Sequence, residues 1–170
     1  MLRIALFAAA LCLGIHPALA APAGLLNKTI HISYGFYIPG KSAVGTTNGG
    51  GRTESVILYI SSAGRVFGKR ASRAARGGDD RLGGPETTAG NTRFEGSSLV
   101  ATRRFGNAAG QMTVKFDGNF QTCKADFVVG GENGAHMTWV GLNGEKYTQT
   151  GPPTFSAVTC SMENGNAFAN

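Results

Sequence analysis

From Gln111 to Thr150 the chain reads QMTVKFDGNFQTCKADFVVGGENGAHMTWVGLNGEKYTQT, and its side chains alternate between apolar and polar over three runs. Met112, Val114 and Phe116 alternate with Gln111, Thr113, Lys115 and Asp117. Cys123, Ala125, Phe127 and Val129 alternate with Thr122, Lys124, Asp126 and Val128, and Met137, Trp139 and Gly141 alternate with His136, Thr138, Val140 and Leu142. A period of two puts successive side chains on opposite faces of a strand, with one face toward a core and the other toward water. Asp117-Gly118-Asn119, Glu132-Asn133-Gly134 and Asn143-Gly144 separate the runs with residues that tolerate the backbone of tight turns. The stretch therefore predicts an antiparallel meander.

The rest of the chain supports the same class. Thr29 to Tyr37 alternates, with Ile30, Ile32, Tyr34 and Phe36 on one face and His31 on the wetter one, and Pro39 is expected to end that strand. Residues 40–53 (GKSAVGTTNGGGRT) read as a loop; the glycines resemble a phosphate cradle only superficially, because no helix follows them. Residues 54–61 (ESVILYIS) are nearly all apolar and predict a strand covered on both faces. A turn at Ser62-Ala63-Gly64 leads into a hairpin strand over Arg65 to Lys69. Thr92 to Glu95 and Ser98 to Phe105 predict two more strands, and Phe155 to Met162, after the break at Pro152-Pro153, predicts the last. No stretch shows convincing helical periodicity. The 26 glycines among 170 residues fit many short turns between strands. Eight to nine short strands predict an all-β fold, a small antiparallel up-and-down β-barrel of about eight strands, with a two-sheet β-sandwich as the alternative.

Residues 1–20 (MLRIALFAAALCLGIHPALA) carry one arginine, an apolar run and a small-residue end at Ala18-Leu19-Ala20. This is the pattern of a signal peptide cut after Ala20, with Ala23 as the alternative, and it is too short for a bilayer span. It predicts an exported chain, periplasmic or secreted, that does not span the membrane once cut, and a single domain over 21–170. Cys12 would leave with the peptide. Cys123 and Cys160 then remain, 37 residues apart, and an even count in an exported chain predicts a disulfide between them. Arg3 also leaves, so 15 basic residues face 10 acidic ones.

Residues 71–91 (ASRAARGGDDRLGGPETTAGN) form the longest segment without a pattern and predict a Gly-rich loop. It opens on a basic run, Lys69, Arg70, Arg73 and Arg76, with Arg81 beyond Asp79-Asp80. Such a run suits contact with an anionic surface such as lipid, polysaccharide or nucleic acid. No aromatic residue interleaves these charges in the sequence, and no specific nucleic-acid motif is present.

The ISSAGRVF hairpin at 60–67, GNFQTCKADFVVG at 118–130, WVGLNGEKY at 139–147 and CSMENGNAF at 160–168 together resemble small exported β-rich proteins of unknown function from alphaproteobacteria. The resemblance spans most of the chain after residue 20. It implies an exported β-rich domain and brings no catalytic residues.

Motifs for common chemistries are absent. There is no G-x-S-x-G and no H-E-x-x-H, and no cofactor or metal is expected. The carboxylates available for glycoside hydrolysis, Glu54, Glu95, Asp117, Asp126, Glu132 and Glu145, fall mostly at turns or on outward faces. These features point to a non-enzymatic binding module rather than to a hydrolase or a protease inhibitor. Its expected partner is a small apolar ligand inside the barrel, lined by Tyr34, Phe36, Phe116, Phe127 and Trp139, or an anionic surface met by the basic loop. An eight-stranded barrel is just wide enough to hold one small ligand or to fill with its own side chains.

Overall fold

A computed structural model of the chain describes residues 20–74, 86–87, 91–105, 108–129, 138–141 and 143–168. The expected signal peptide lies outside the described residues, Ala20 excepted. The chain runs through a short 3-10 turn (Ala23–Leu25) and then β1 (Lys28–Ser42), β2 (Thr47–Ile60), β3 (Val66–Ala74), β4 (Glu86–Thr87), β5 (Thr92–Glu95) and β6 (Ser98–Phe105). It continues through β7 (Ala108–Phe116), β8 (Cys123–Val129), β9 (Thr138–Val140), β10 (Lys146–Gln149) and β11 (Thr154–Asn164). Every pairing among the described residues is antiparallel.

The strands form two sheets. One holds seven strands in the order β4-β3-β2-β1-β10-β9, with β11 also on β1; the other is the four-stranded run β5-β6-β7-β8, curled into a half-barrel. Together they give the all-β fold, an open barrel that is equally a two-sheet sandwich. Inward residues of both sheets share one core: Ile30, Ile32 and Tyr34 of β1, Val56, Leu58 and Ile60 of β2, Leu99 of β6, and Met112, Val114 and Phe116 of β7. Burying a side chain of this kind contributes about 1.5–3 kcal/mol, so this row is what holds the sheets face to face.

The strand β1 organises the larger sheet. It pairs β2 from Lys28 opposite Ile60 to Lys41 opposite Thr47. Its other edge is shared: β11 takes Lys28 to Tyr37 and β10 takes Gly40 to Ser42. Pro39 stands at the join, and its carbonyl accepts the Thr150 N–H at 3.0 Å. The ring removes an N–H that would have faced the gap between β10 and β11, so the strand passes through the proline instead of ending there, as its sequence suggested.

The segment 40–53, expected as a loop, is likewise a hairpin. Gly49, Gly50 and Gly51 lie opposite Pro39, Ile38 and Tyr37. A Cβ at Gly49 would run into the Tyr37 ring, and one at Gly50 would press the Trp139 indole at 3.4 Å. These glycines serve close aromatic packing over a strand, not loop mobility. Val56, Leu58 and Ile60 are buried while Ile57 and Tyr59 are only half-buried, so β2 alternates where both faces were expected to be covered.

Three hairpin turns use one device. Ser42 N–H reaches Thr46 O, Ser61 N–H reaches Arg65 O and Gly141 N–H reaches Glu145 O, and the fourth residue of each turn is Gly45, Gly64 or Gly144 with φ of 89°, 74° and 78°. A turn closed by a left-handed glycine matches the right-handed twist of its flanking strands. At the β7–β8 turn, by contrast, the left-handed residue is Phe120 (φ 54°) and not one of the turn formers Gly118 and Asn119. Its ring packs on Phe116 at 6.2 Å and its carbonyl accepts from Lys28 Nζ at 2.9 Å, contacts that hold a conformation unfavourable for a bulky residue.

The third run of the expected meander leaves the sheet of the first two. β7 pairs β8, but β9 crosses to the larger sheet and pairs β10. Cys123 of β8 and Cys160 of β11 form the expected disulfide, with 5.5 Å between their Cα atoms. Among the described residues no hydrogen-bond ladder joins β8 to β11, so the bridge is a covalent tie between the two sheets.

Candidate functional site

Arg52, Glu54, Val56, Leu58 and Ile60 fall on one face of β2, which places a carboxylate and a guanidinium in line with the core. Glu54 is buried to 1 % exposure. Its cross-strand neighbour is Tyr34, whose hydroxyl donates to Glu54 Oε2 at 2.5 Å. Arg52 Nε lies 2.5 Å from Glu54 Oε1, an ion-pair contact rather than an aligned hydrogen bond, and its side chain keeps 33 % exposure. The Arg52 guanidinium also sits 5.0 Å from the centre of the Phe36 ring. Burying a carboxylate is costly unless it is paired, and here Tyr34 and Arg52 supply the partners. Glu54 thus departs from the outward placement expected of the candidate carboxylates.

The other described carboxylates do lie at the surface. Glu95 pairs Arg93 at 2.6 Å, Asp126 pairs Lys115 at 2.8 Å, and Glu145 accepts from the Tyr147 hydroxyl at 3.0 Å. Asp117 caps its turn through the N–H groups of Gln121 and Thr122, and the Thr122 backbone contact, then that of Gln121, holds its carboxyl below the usual range. Glu132 lies outside the described residues. His31 meets Glu163 at 2.9 Å on the outer face. Among the described residues, no three His, Cys, Asp or Glu side chains are placed to hold a metal ion.

The five aromatic residues expected to line a cavity divide among three groups of rings. Tyr34, Phe36 and Phe127 meet around Phe155: Tyr34 lies 4.2 Å from Phe127, Phe127 stacks on Phe155 at 4.7 Å, and Phe36 lies 5.4 Å from Phe155. Phe116 packs with Phe120, and Trp139 stacks on Tyr147 at 5.9 Å. Tyr34, Phe36 and Phe116 are buried, and Phe127 and Trp139 are half-buried against the same core.

The basic run begins on a strand rather than in a loop. Lys69, Arg70 and Arg73 belong to β3, opposite Ile57, Val56 and Thr53 of β2. Residues 71–74 of the expected loop extend the same strand, and Glu86 and Thr87 return to pair Gly68 and Phe67. Arg76 and Arg81 lie outside the described residues. The pairing brings aromatic rings to the charges, which the linear sequence does not. Phe67 lies opposite Tyr59 with ring centroids 6.4 Å apart and planes 27° apart, and the Arg65 guanidinium lies 5.5 Å over the Phe67 ring. The Tyr59 hydroxyl donates to Asn27 Oδ1 at 3.2 Å and fixes its ring. A guanidinium laid on an aromatic face keeps its planar fork of donors in a set direction, suited to a carboxylate or sulfate.

Comparison with protein-family models, with curated proteins and with solved structures gave no match.

Proposed function

We propose that the protein is an exported, non-enzymatic binding module that holds a linear anionic polysaccharide against the outer face of β3. The observation that carries this reading is the series Arg65, Lys69, Arg73, spaced by four residues along one extended segment. At about 3.3 Å per residue, neighbouring charges stand about 13 Å apart and the series spans about 26 Å. A small anion meets one of these positions; an extended chain with repeated charges meets them all. Arg65 is oriented on Phe67, so its fork is set before binding and less side-chain freedom is lost in the complex.

The test is titration of polygalacturonate, with neutral dextran, anionic phospholipid vesicles and single-stranded DNA as parallel probes. Polygalacturonate should bind, neutral dextran should not, and affinity should fall steeply between low and physiological salt. The double variant Lys69→Ser, Arg73→Ser should weaken binding at least tenfold with an unchanged far-ultraviolet spectrum. Equal binding by that variant refutes the assignment to β3. Binding of vesicles or DNA without polygalacturonate overturns the choice of partner.

A further inference from the structure

The turn between β2 and β3 and the strand β5 face each other across a cleft of about 420 Å³. That volume is within the range of pockets that take small molecules, roughly 300–1,000 Å³. Its walls are largely apolar: Leu26, Ala63, Val66 and Phe94 contribute to them, and Val66 and Phe94 are themselves buried. The two charged residues of the lining, Arg65 and Arg93, are both cationic. Arg93 sits opposite Val100 on β6 and is braced by Glu95, which fixes it beside the cleft. Ala20 and Ala21 also line the cleft; a chain cut after Ala20 would lose the first and place the α-ammonium group of the second there as a third positive charge.

An apolar hollow whose charged lining is cationic is matched by one kind of small ligand, an apolar body ending in an anion. We infer that the cleft binds a medium-chain fatty acid, its chain against Leu26, Val66 and Phe94 and its carboxylate toward the arginines. The body gains by leaving water, at roughly 25 cal/mol per Å² of apolar surface buried. The carboxylate gains charge-assisted hydrogen bonds. The site is separate from the β3 series used by the proposed polysaccharide, apart from Arg65, which borders both.

Isothermal titration of the purified protein with decanoate and with decanol tests the inference. Decanoate should bind with a dissociation constant in the micromolar range, and decanol at least fivefold more weakly. Ala63 is exposed on the turn, so Ala63→Trp plugs the cleft without entering the core and should abolish decanoate binding. The same variant should leave polygalacturonate binding unchanged, so that failure of one site is told apart from failure of the other. Arg93→Gln should reduce decanoate affinity at least fivefold and leave decanol unaffected. Absence of decanoate binding by the folded protein, or undiminished binding by Ala63→Trp, overturns the site. Equal affinity for decanol and decanoate overturns the role of the arginines.

Discussion

Replacing both Cys123 and Cys160 by Ala should remove a large part of this protein's stability. The bridge closes 37 residues of chain. In the chain-entropy treatment a loop of that length restricts the unfolded state by about 13 cal/mol/K, or about 4 kcal/mol at room temperature. The effect is not spread over redundant contacts, because among the described residues no hydrogen-bond ladder joins β8 to β11. What remains between them is side-chain packing, chiefly Phe127 stacked on Phe155 at 4.7 Å. A domain of this size has a total stability of about 5–15 kcal/mol, so the loss is a quarter of it or more. At about 2–4 °C per kcal/mol the melting temperature should drop by about 8–16 °C. Urea melts of the oxidised protein and of the double variant, fitted with a common slope, give the difference directly. Reductant should reproduce the shift in the native sequence and do nothing to the variant. A difference under about 1 kcal/mol would refute the picture of two sheets tied by one covalent bond, because it would mean that packing alone fixes β8 on β11.

Four further outcomes are expected. Glu54→Gln strands Arg52 beside the core and should cost about 2–3 kcal/mol in urea melts, below the roughly 3–5 kcal/mol for breaking a fully buried pair because Arg52 is one-third exposed; Arg52→Met with Glu54→Leu should cost less than the two single changes summed. Gly64→Ala forces a Cβ onto a residue at φ 74° and against Ala21 at 3.2 Å, and should cost about 1–2 kcal/mol, whereas an unchanged melting curve would contradict the turn geometry. Asp117 has its carboxyl held below its ordinary value of 3.8 by the Thr122 and Gln121 backbone, so its contribution is present above that value and lost as pH falls through the lower folded-state value. The stability gap between the native protein and Asp117→Asn should therefore close as pH is lowered through that window, and a gap that widens would reverse the assignment. Mass spectrometry of protein expressed with residues 1–20 and recovered outside the cytoplasm should find Ala21 at the N-terminus; a start at Gly24 would remove the carbonyls of Pro22 and Ala23 that accept from Leu25 and Leu26, and would count against the 3-10 turn as part of the cut chain's fold.

Alternation and glycine punctuation were enough to read the β class from the chain and to place β5 and β6 at their ends, and an even cysteine count after residue 20 was enough to pair Cys123 with Cys160. Those features are local, since a period of two and a left-handed turn residue depend on a few consecutive side chains. Proline and glycine misled where their meaning was not local. Pro39 continues a strand because β10 and β11 part beside it, and Gly49 and Gly50 continue one because Tyr37 and Trp139 lie across them. Glu54 carried a legible signal, an acid in phase with Val56, Leu58 and Ile60, which marks a buried charge in search of a partner. Which partners it found, Tyr34 across the ladder and Arg52 along it, was a matter of register. The neighbours Tyr59 and Phe67, and the facing of Arg65 and Arg93 across one cleft, likewise follow from strand order and sheet stacking. Sequence determined the repeating unit of this protein because sterics act between adjacent residues; the tertiary structure alone decided which distant units meet, because burial rewards any apolar neighbour and only the closed register selects among them.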